Sequence, residues 1–212
     1  SADGIILTYT GTSTYNITWS TAGPVSYVRI YYSTNDGSTY PNEITTTDGV
    51  PATPASYTWD VPNQILGKHL KIKIVDKDNA VTYGESANSF EIIGQVTLDA
   101  PVGGEQWPVA GTRSIQWTPT GTFTNVQVQA SMNDFSTTIL NVTRPAGPSG
   151  VQQTYSWTNI PDNLSATVKV RVYDPDHQPT LVRDESANFT ILGSLDVTAP
   201  ESGQIWYRGE AK

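Results

Sequence analysis

One internal repeat restricts what this sequence can fold into more than any other feature. Trp19 and Trp117, Ser33 and Ser131, Trp59 and Trp157, and Asp76 and Asp174 each stand 98 positions apart. Landmarks that hold one offset across a whole unit require two copies of the same supersecondary arrangement rather than one large domain. Elsewhere the offset slips by one or two: Glu85-Ser-Ala-Asn88 returns as Glu185-Ser-Ala-Asn188, Phe90 as Phe189 and Gly94 as Gly193. Slips of that size belong to loops. A third copy starts where Pro101-Val-Gly-Gly-Glu-Gln-Trp107 is echoed by Pro200-Glu-Ser-Gly-Gln-Ile-Trp206. The expected organisation is one module over 1–94 with its first strand missing, a complete module over 95–193, and the first strand of a third, truncated repeat over 194–212.

Within each copy the apolar residues alternate with period two, as in Leu70-Lys-Ile-Lys-Ile-Val-Asp76 and Val168-Lys-Val-Arg-Val-Tyr-Asp174. That period belongs to half-buried strands. In the second copy seven strands are expected, near 96–100, 113–118, 125–131, 137–143, 152–158, 167–174 and 188–192. Seven strands in about 100 residues predict an all-β fold of tandem seven-stranded immunoglobulin or fibronectin-III-like β-sandwiches. Only Gly94-Gln95 and Gly193-Ser194 join one copy to the next, so the joints are expected to be stiff.

Charge and composition remove several classes of function. The net charge is −8 with 12 Lys and Arg, which leaves no basic stripe to neutralise nucleic-acid phosphates. No run approaches the roughly 18 apolar residues of a spanning helix, so membrane insertion is not expected. With 0 cysteines there is no disulfide framework, thiolate nucleophile or cysteine zinc site.

The six tryptophans suggest a sugar-stacking platform, but Trp19, Trp59, Trp117 and Trp157 alternate in register with other inward residues and read as core. Trp107 and Trp206 follow Gly-rich turns and are expected to plug a module end or joint. Tyr31 alone is expected to face outward among the strand aromatics. The acidic groups Asp76, Asp78 and Glu85, and their counterparts Asp174, Asp176 and Glu185, offer oxygens of the kind calcium takes. Asp and Asn are also ordinary residues of the turn that ends a strand. A glycosidase role for these carboxylates is set aside, because a device repeated in every copy is structural. His69 and His177 are not equivalent positions, and no nucleophile elbow or metal triad surrounds them, so the chain is read as non-catalytic with no cofactor beyond the calcium candidate. Four Asn-x-Ser/Thr sequons, at Asn16, Asn141, Asn163 and Asn188, are candidate glycosylation sites. Asn188 begins an expected strand and is read as the least accessible.

The order Pro-x-Gly-Gly-Glu-x-Trp at 101–107, Ile-x-Trp at 115–117, Tyr-Ser-x-x-Asp-Gly at 32–37, Tyr-x-Trp-x-Val-Pro at 57–62, Ile-x-Ile-x-Asp at 72–76 and Ser-x-x-x-Phe-x-Ile at 86–92 resembles a known module. It is similar to the Ser/Thr-rich cell-wall Ig-like (Kre9/Knh1-like) repeat of large bacterial surface proteins. The second copy departs from it where Ala130-Ser-Met-Asn-Asp-Phe135 replaces the Tyr-Ser and Asp-Gly turn. The resemblance implies an extracellular, cell-surface or cell-wall setting and no catalytic residue. It points to a structural repeat of a surface or surface-layer (S-layer) protein, a rigid spacer or lattice-building module whose partners are neighbouring repeats, other copies in a lattice, or cell-wall glycan. The alternative is an adhesin or a carbohydrate-binding accessory module of a secreted enzyme.

Overall fold

A computed structural model describes residues 5–11, 13–62, 70–122, 124–176 and 180–198, together with 203 and 208. The first module contains β1 (Ile5–Thr8), β2 (Thr14–Thr18), β3 (Tyr27–Ser33), β4 (Asn42–Glu43), β5 (Val50–Pro51), β6 (Ser56–Asp60), β7 (Lys71–Asp76), β8 (Tyr83–Glu85) and β9 (Phe90–Ile93). The second contains β10 (Gln95–Ala100), β11 (Gln106–Pro108), β12 (Arg113–Thr120), β13 (Asn125–Ser131), β14 (Leu140–Pro145), β15 (Gln153–Trp157), β16 (Ser165–Tyr173), β17 (Arg183–Glu185) and β18 (Phe189–Leu192). The seven strands expected of the second copy are all present. Two short ones, β11 and β17, escape the period-two signal because three residues are too few to display it.

In the second module one sheet runs β10-β12-β15, and the other runs β11-β18-β16-β13-β14 with β17 on β16. Every pairing is antiparallel except β11 with β18. The first module repeats this plan: β2 pairs with β6, β4-β3-β7-β8 form the facing sheet, and β1 runs parallel to β9. A Leu70–Phe90 bridge joins β9 to the chain entering β7. Two antiparallel sheets face to face, with the leading segment passing from one to the other, make the immunoglobulin/fibronectin-III-like sandwich. The all-β tandem sandwich read from the alternation is therefore the observed fold.

Alternation places the core. Val126, Val128 and Ala130 on β13 and Val168, Val170 and Val172 on β16 are fully buried, while Lys169, Arg171 and Tyr173 between them turn outward. Trp117 and Trp157 are buried, and so is Trp59 in the first module. Trp107 departs from its expected place at a module end. It sits in the core on β11, its ring centroid 4.4 Å from Phe189 and 6.0 Å from Trp157. Trp19 departs in the other direction and is only half-buried. Leu98 of β10 lies opposite Trp117, and among the described residues no strand occupies that position beside Trp19.

The motifs that survive between copies are hydrogen-bonding devices. Ser33 and Ser131, both wholly buried, each accept two backbone N–H groups with Oγ, from Asn35 (3.1 Å) and Gly37 (2.9 Å) in one copy and Asn133 (3.1 Å) and Phe135 (2.9 Å) in the other. The second copy thus keeps the turn despite its changed sequence. Phe135 takes φ 62° where the first copy has Gly37 at φ 84°. The Glu-Ser-Ala-Asn repeat works the same way, since Ser86 and Ser186 accept the N–H of Ile72 and Val170. In the Gly-Gly-Glu turn, the Glu105 carboxylate accepts the N–H groups of Val102 (2.8 Å) and Gly103 (2.9 Å).

Gly94 alone separates β9 from β10, and it is buried. Ile93, the last residue of β9, packs into the core of the second module. At the next joint Ser194–Thr198 form no strand, and Leu195 and Val197 are exposed. The remaining residues of the expected third copy, other than 203 and 208, lie outside the described residues, as do His69 and His177.

Candidate functional site

Strand ends and outward sheet faces carry the side chains available for function. At the end of β7, Asp76 Oδ1 accepts the N–H of Asp78 at 3.0 Å, and after β16 Asp174 Oδ1 accepts that of Asp176 at 2.9 Å. Each aspartate closes its own turn. Glu85 stands opposite Lys73 rather than beside Asp76 and pairs with its ammonium at 3.1 Å. Glu185 approaches Arg183 at 3.6 Å. Because Asp76 bonds Thr82 across the hairpin, Glu85 is three residues further along, roughly 10 Å at strand rise. The fold brings each aspartate pair together and leaves the glutamates apart. Among the described residues no three acidic or histidine side chains converge on a metal position.

The sequons are spread over both modules. Asn16 is exposed on β2, its Oδ1 accepting Thr58 Oγ1–H at 2.9 Å, and Asn141 is exposed on β14, its Oδ1 accepting Gln129 Nε2–H at 3.0 Å. Asn163 is half-buried in the loop before β16. Asn188, expected to be the least accessible, is exposed: it precedes β18 by one residue, and its carbonyl accepts the N–H of Gly104.

Sequence reasoning found one outward aromatic, Tyr31; the sheet β4-β3-β7-β8 assembles three. Register places Tyr31, Lys73 and Glu85 in one row and Arg29, Val75 and Tyr83 in the next, with Tyr27 at the end of β3. Tyr27 is 45% exposed and Tyr83 57%. A cation covers each ring: Lys73 Nζ lies 3.8 Å from the Tyr83 centroid, Arg29 5.2 Å from Tyr31 and Lys77 5.4 Å from Tyr27. Arg29 also holds Glu43 in a two-pronged pair, with Nε 2.7 Å from Oε1. Hydrogen bonding by Arg29 keeps the Glu43 carboxyl below the usual carboxylate range, and burial pushes the Tyr31 phenol up. Tyr40, packed near Lys73, is pushed up to about 12 by burial and by Glu85. The alternation was legible for β3, but Tyr83 sits on a three-residue strand that carries no such signal.

The equivalent face of the second module has different chemistry. Thr143 donates to Gln127 Oε1 at 2.7 Å and Arg171 to Gln129 Oε1 at 2.7 Å, while the Arg171 guanidinium lies 4.1 Å from the Phe135 ring. Amides and hydroxyls there satisfy one another. The two copies share a scaffold and differ in what they present.

No family model and no curated protein matches the chain. Among solved structures it is similar to a three-immunoglobulin-domain fragment of titin, at 8% identity over 91% of this chain and 62% of that one, with a TM-score of 0.40. It is also similar to the four N-terminal immunoglobulin domains of a Dscam1 isoform, at 10% identity over 91% and 43%, with a TM-score of 0.43. The fibronectin(III)-like modules of Clostridium thermocellum CbhA align at 18% identity over 89% and 87%, with a TM-score of 0.27. The chain spans less than two thirds of the titin and Dscam1 fragments. Among the described residues no helix is long and apolar enough to cross a membrane.

Proposed function

We propose that this chain is a non-catalytic structural repeat of an extracellular cell-surface or cell-wall protein, of the Ser/Thr-rich Kre9/Knh1-like kind, serving as a spacer or lattice-building module. The joint carries this reading. A single buried glycine separates two sandwiches, and Ile93 of the first is packed into the core of the second, so the modules follow one another without a swinging linker. Supporting it, the recurring serines Ser33 and Ser131, and Ser86 and Ser186, hold turns and strands together by accepting backbone N–H groups.

The tyrosine face of the first module favours the second reading, an adhesive or carbohydrate-binding module. Against a sugar platform stands the cation over each ring, which occupies a face that a pyranose would need. A glycan array and a pull-down on isolated cell walls test the choice. The structural reading expects no retention; binding that disappears in Tyr27→Ala or Tyr83→Ala would overturn it in favour of the adhesive one.

A further inference from the structure

The two copies differ around one cation. Lys73 and Arg171 hold equivalent positions on β7 and β16, and each stands opposite a glutamate, Glu85 or Glu185, on the next strand. Lys73 pairs with Glu85 at 3.1 Å. Among the described residues Arg171 forms no such pair, and Glu185 lies 3.6 Å from Arg183 instead. The Arg171 Nε–H donates to Gln129 Oε1 at 2.7 Å, and Gln129, only 8% exposed, is itself anchored by donating to Asn141 Oδ1 at 3.0 Å. Both Nη groups are left without a protein acceptor among the described residues.

Two differences between the copies bring rings to that guanidinium. Where the first copy has Gly37 and Val75, the second has Phe135 and Tyr173, whose ring centroids lie 4.1 Å and 5.2 Å from the Arg171 Cζ. Phe135 reaches its place at φ 62°, a left-handed conformation that a bulky side chain rarely adopts and that glycine takes without strain. The turn does not ask for an aromatic residue, since the same serine Oγ bond closes it around Gly37. Backbone strain that the turn does not need points to a use for the side chain that carries it.

A guanidinium pinned by a buried amide and stacked on rings keeps little freedom to lose, and its open edge is a planar pair of donors that matches a carboxylate. We propose that Arg171, with Phe135 and Tyr173 beside it, is the docking point for a single aspartate or glutamate side chain of another protein. One carboxylate in a neutral stretch suits it better than a polyanion, which the net charge of −8 opposes. A protein segment fits better than an acidic sugar, because the neighbouring side chains of Gln127, Gln129, Asn141 and Thr143 are already bonded to one another and leave sugar hydroxyls few partners. The first module lacks the site, since Lys73 is already paired and has no planar fork. The inference goes beyond the spacer reading and rests on the second module alone.

The probe is a blocked pentapeptide of four alanines around one glutamate, with its glutamine counterpart as control. Titrated to about 20 mM, a range suited to one weakly held carboxylate, it should shift the NMR signals of the Arg171 Nε–H and of the Phe135 and Tyr173 rings, while the glutamine peptide shifts none. Arg171→Lys, which keeps the charge and loses the fork, should weaken binding about tenfold, and Arg171→Gln should abolish it. Phe135→Gly should weaken binding without lowering the melting midpoint, because glycine relieves the backbone. Signals that ignore the glutamate peptide, or that move equally with the glutamine one or in Arg171→Gln, overturn the proposal. So does a lowered midpoint with unchanged affinity in Phe135→Gly, which would make the ring packing alone. Tighter binding of galacturonate than of the peptide would assign the site to acidic sugars and overturn it too.

Discussion

Replacing Ser131 by alanine removes a hydroxyl that holds one turn from three directions. Its Oγ accepts the N–H groups of Asn133 and Phe135 and donates to Asn133 Oδ1 at 2.9 Å. The side chain is wholly buried, so water cannot readily take its place. Three hydrogen bonds at about 1 kcal/mol each, with two backbone donors left short of partners, put the loss at roughly 2–3 kcal/mol. Releasing Phe135 from its left-handed backbone returns part of that, up to about 1 kcal/mol. Ser33→Ala removes the same bonds in the first module, where Gly37 stores no comparable strain, and should cost slightly more. A domain of about 100 residues shifts by roughly 4–8 °C per kcal/mol, which sets the expected fall of the affected transition at about 8–24 °C for a loss of about 2–3 kcal/mol. Calorimetry with urea titration followed by tryptophan fluorescence reads both modules. A loss below about 0.5 kcal/mol in both variants would refute the reasoning, because it would mean that the repeated serine fills space rather than holds the turn.

Leu98→Ala should destabilise the second module by about 2–4 kcal/mol, whereas Val197→Ala, the same position one repeat later, should leave stability unchanged; urea midpoints decide. Gly103→Ala should cost at least about 2 kcal/mol, since φ is 123° and the added Cβ would meet the Ala187 Cβ at 2.5 Å; a neutral result in thermal melts would contradict the close approach. Arg29 lowers the Glu43 carboxyl below its usual 4.5, so the pair's stabilisation is present above that value and is lost as pH falls through the lowered one. Measured from about pH 6 to 3, Glu43→Gln should therefore flatten the acid limb by a few tenths to 1 kcal/mol, and a limb of unchanged slope counts against the pair.

The repeat, the all-β class and the inward faces of the long strands were legible in the sequence, because a period of two over six or more residues leaves one packing solution. Val126, Val128, Ala130, Val168 and Val170 illustrate it. The repeated Ser33 and Ser131 were visible as landmarks, but their role as acceptors for a turn was not, since hydrogen bonds four residues apart need the turn geometry to define them. Tertiary structure alone decided the rest. It separated Glu85 and Glu185 from the aspartate pairs they seemed to accompany, because antiparallel register moves a residue along the strand as the chain doubles back. It gathered Tyr27 and Tyr31 of β3 and Tyr83 of β8 onto one face. It also distinguished Trp19 from Trp117, identical in motif, since among the described residues a strand lies beside Trp117 and none beside Trp19: alternation says which way a side chain points, and only the assembled sheets say what it meets there.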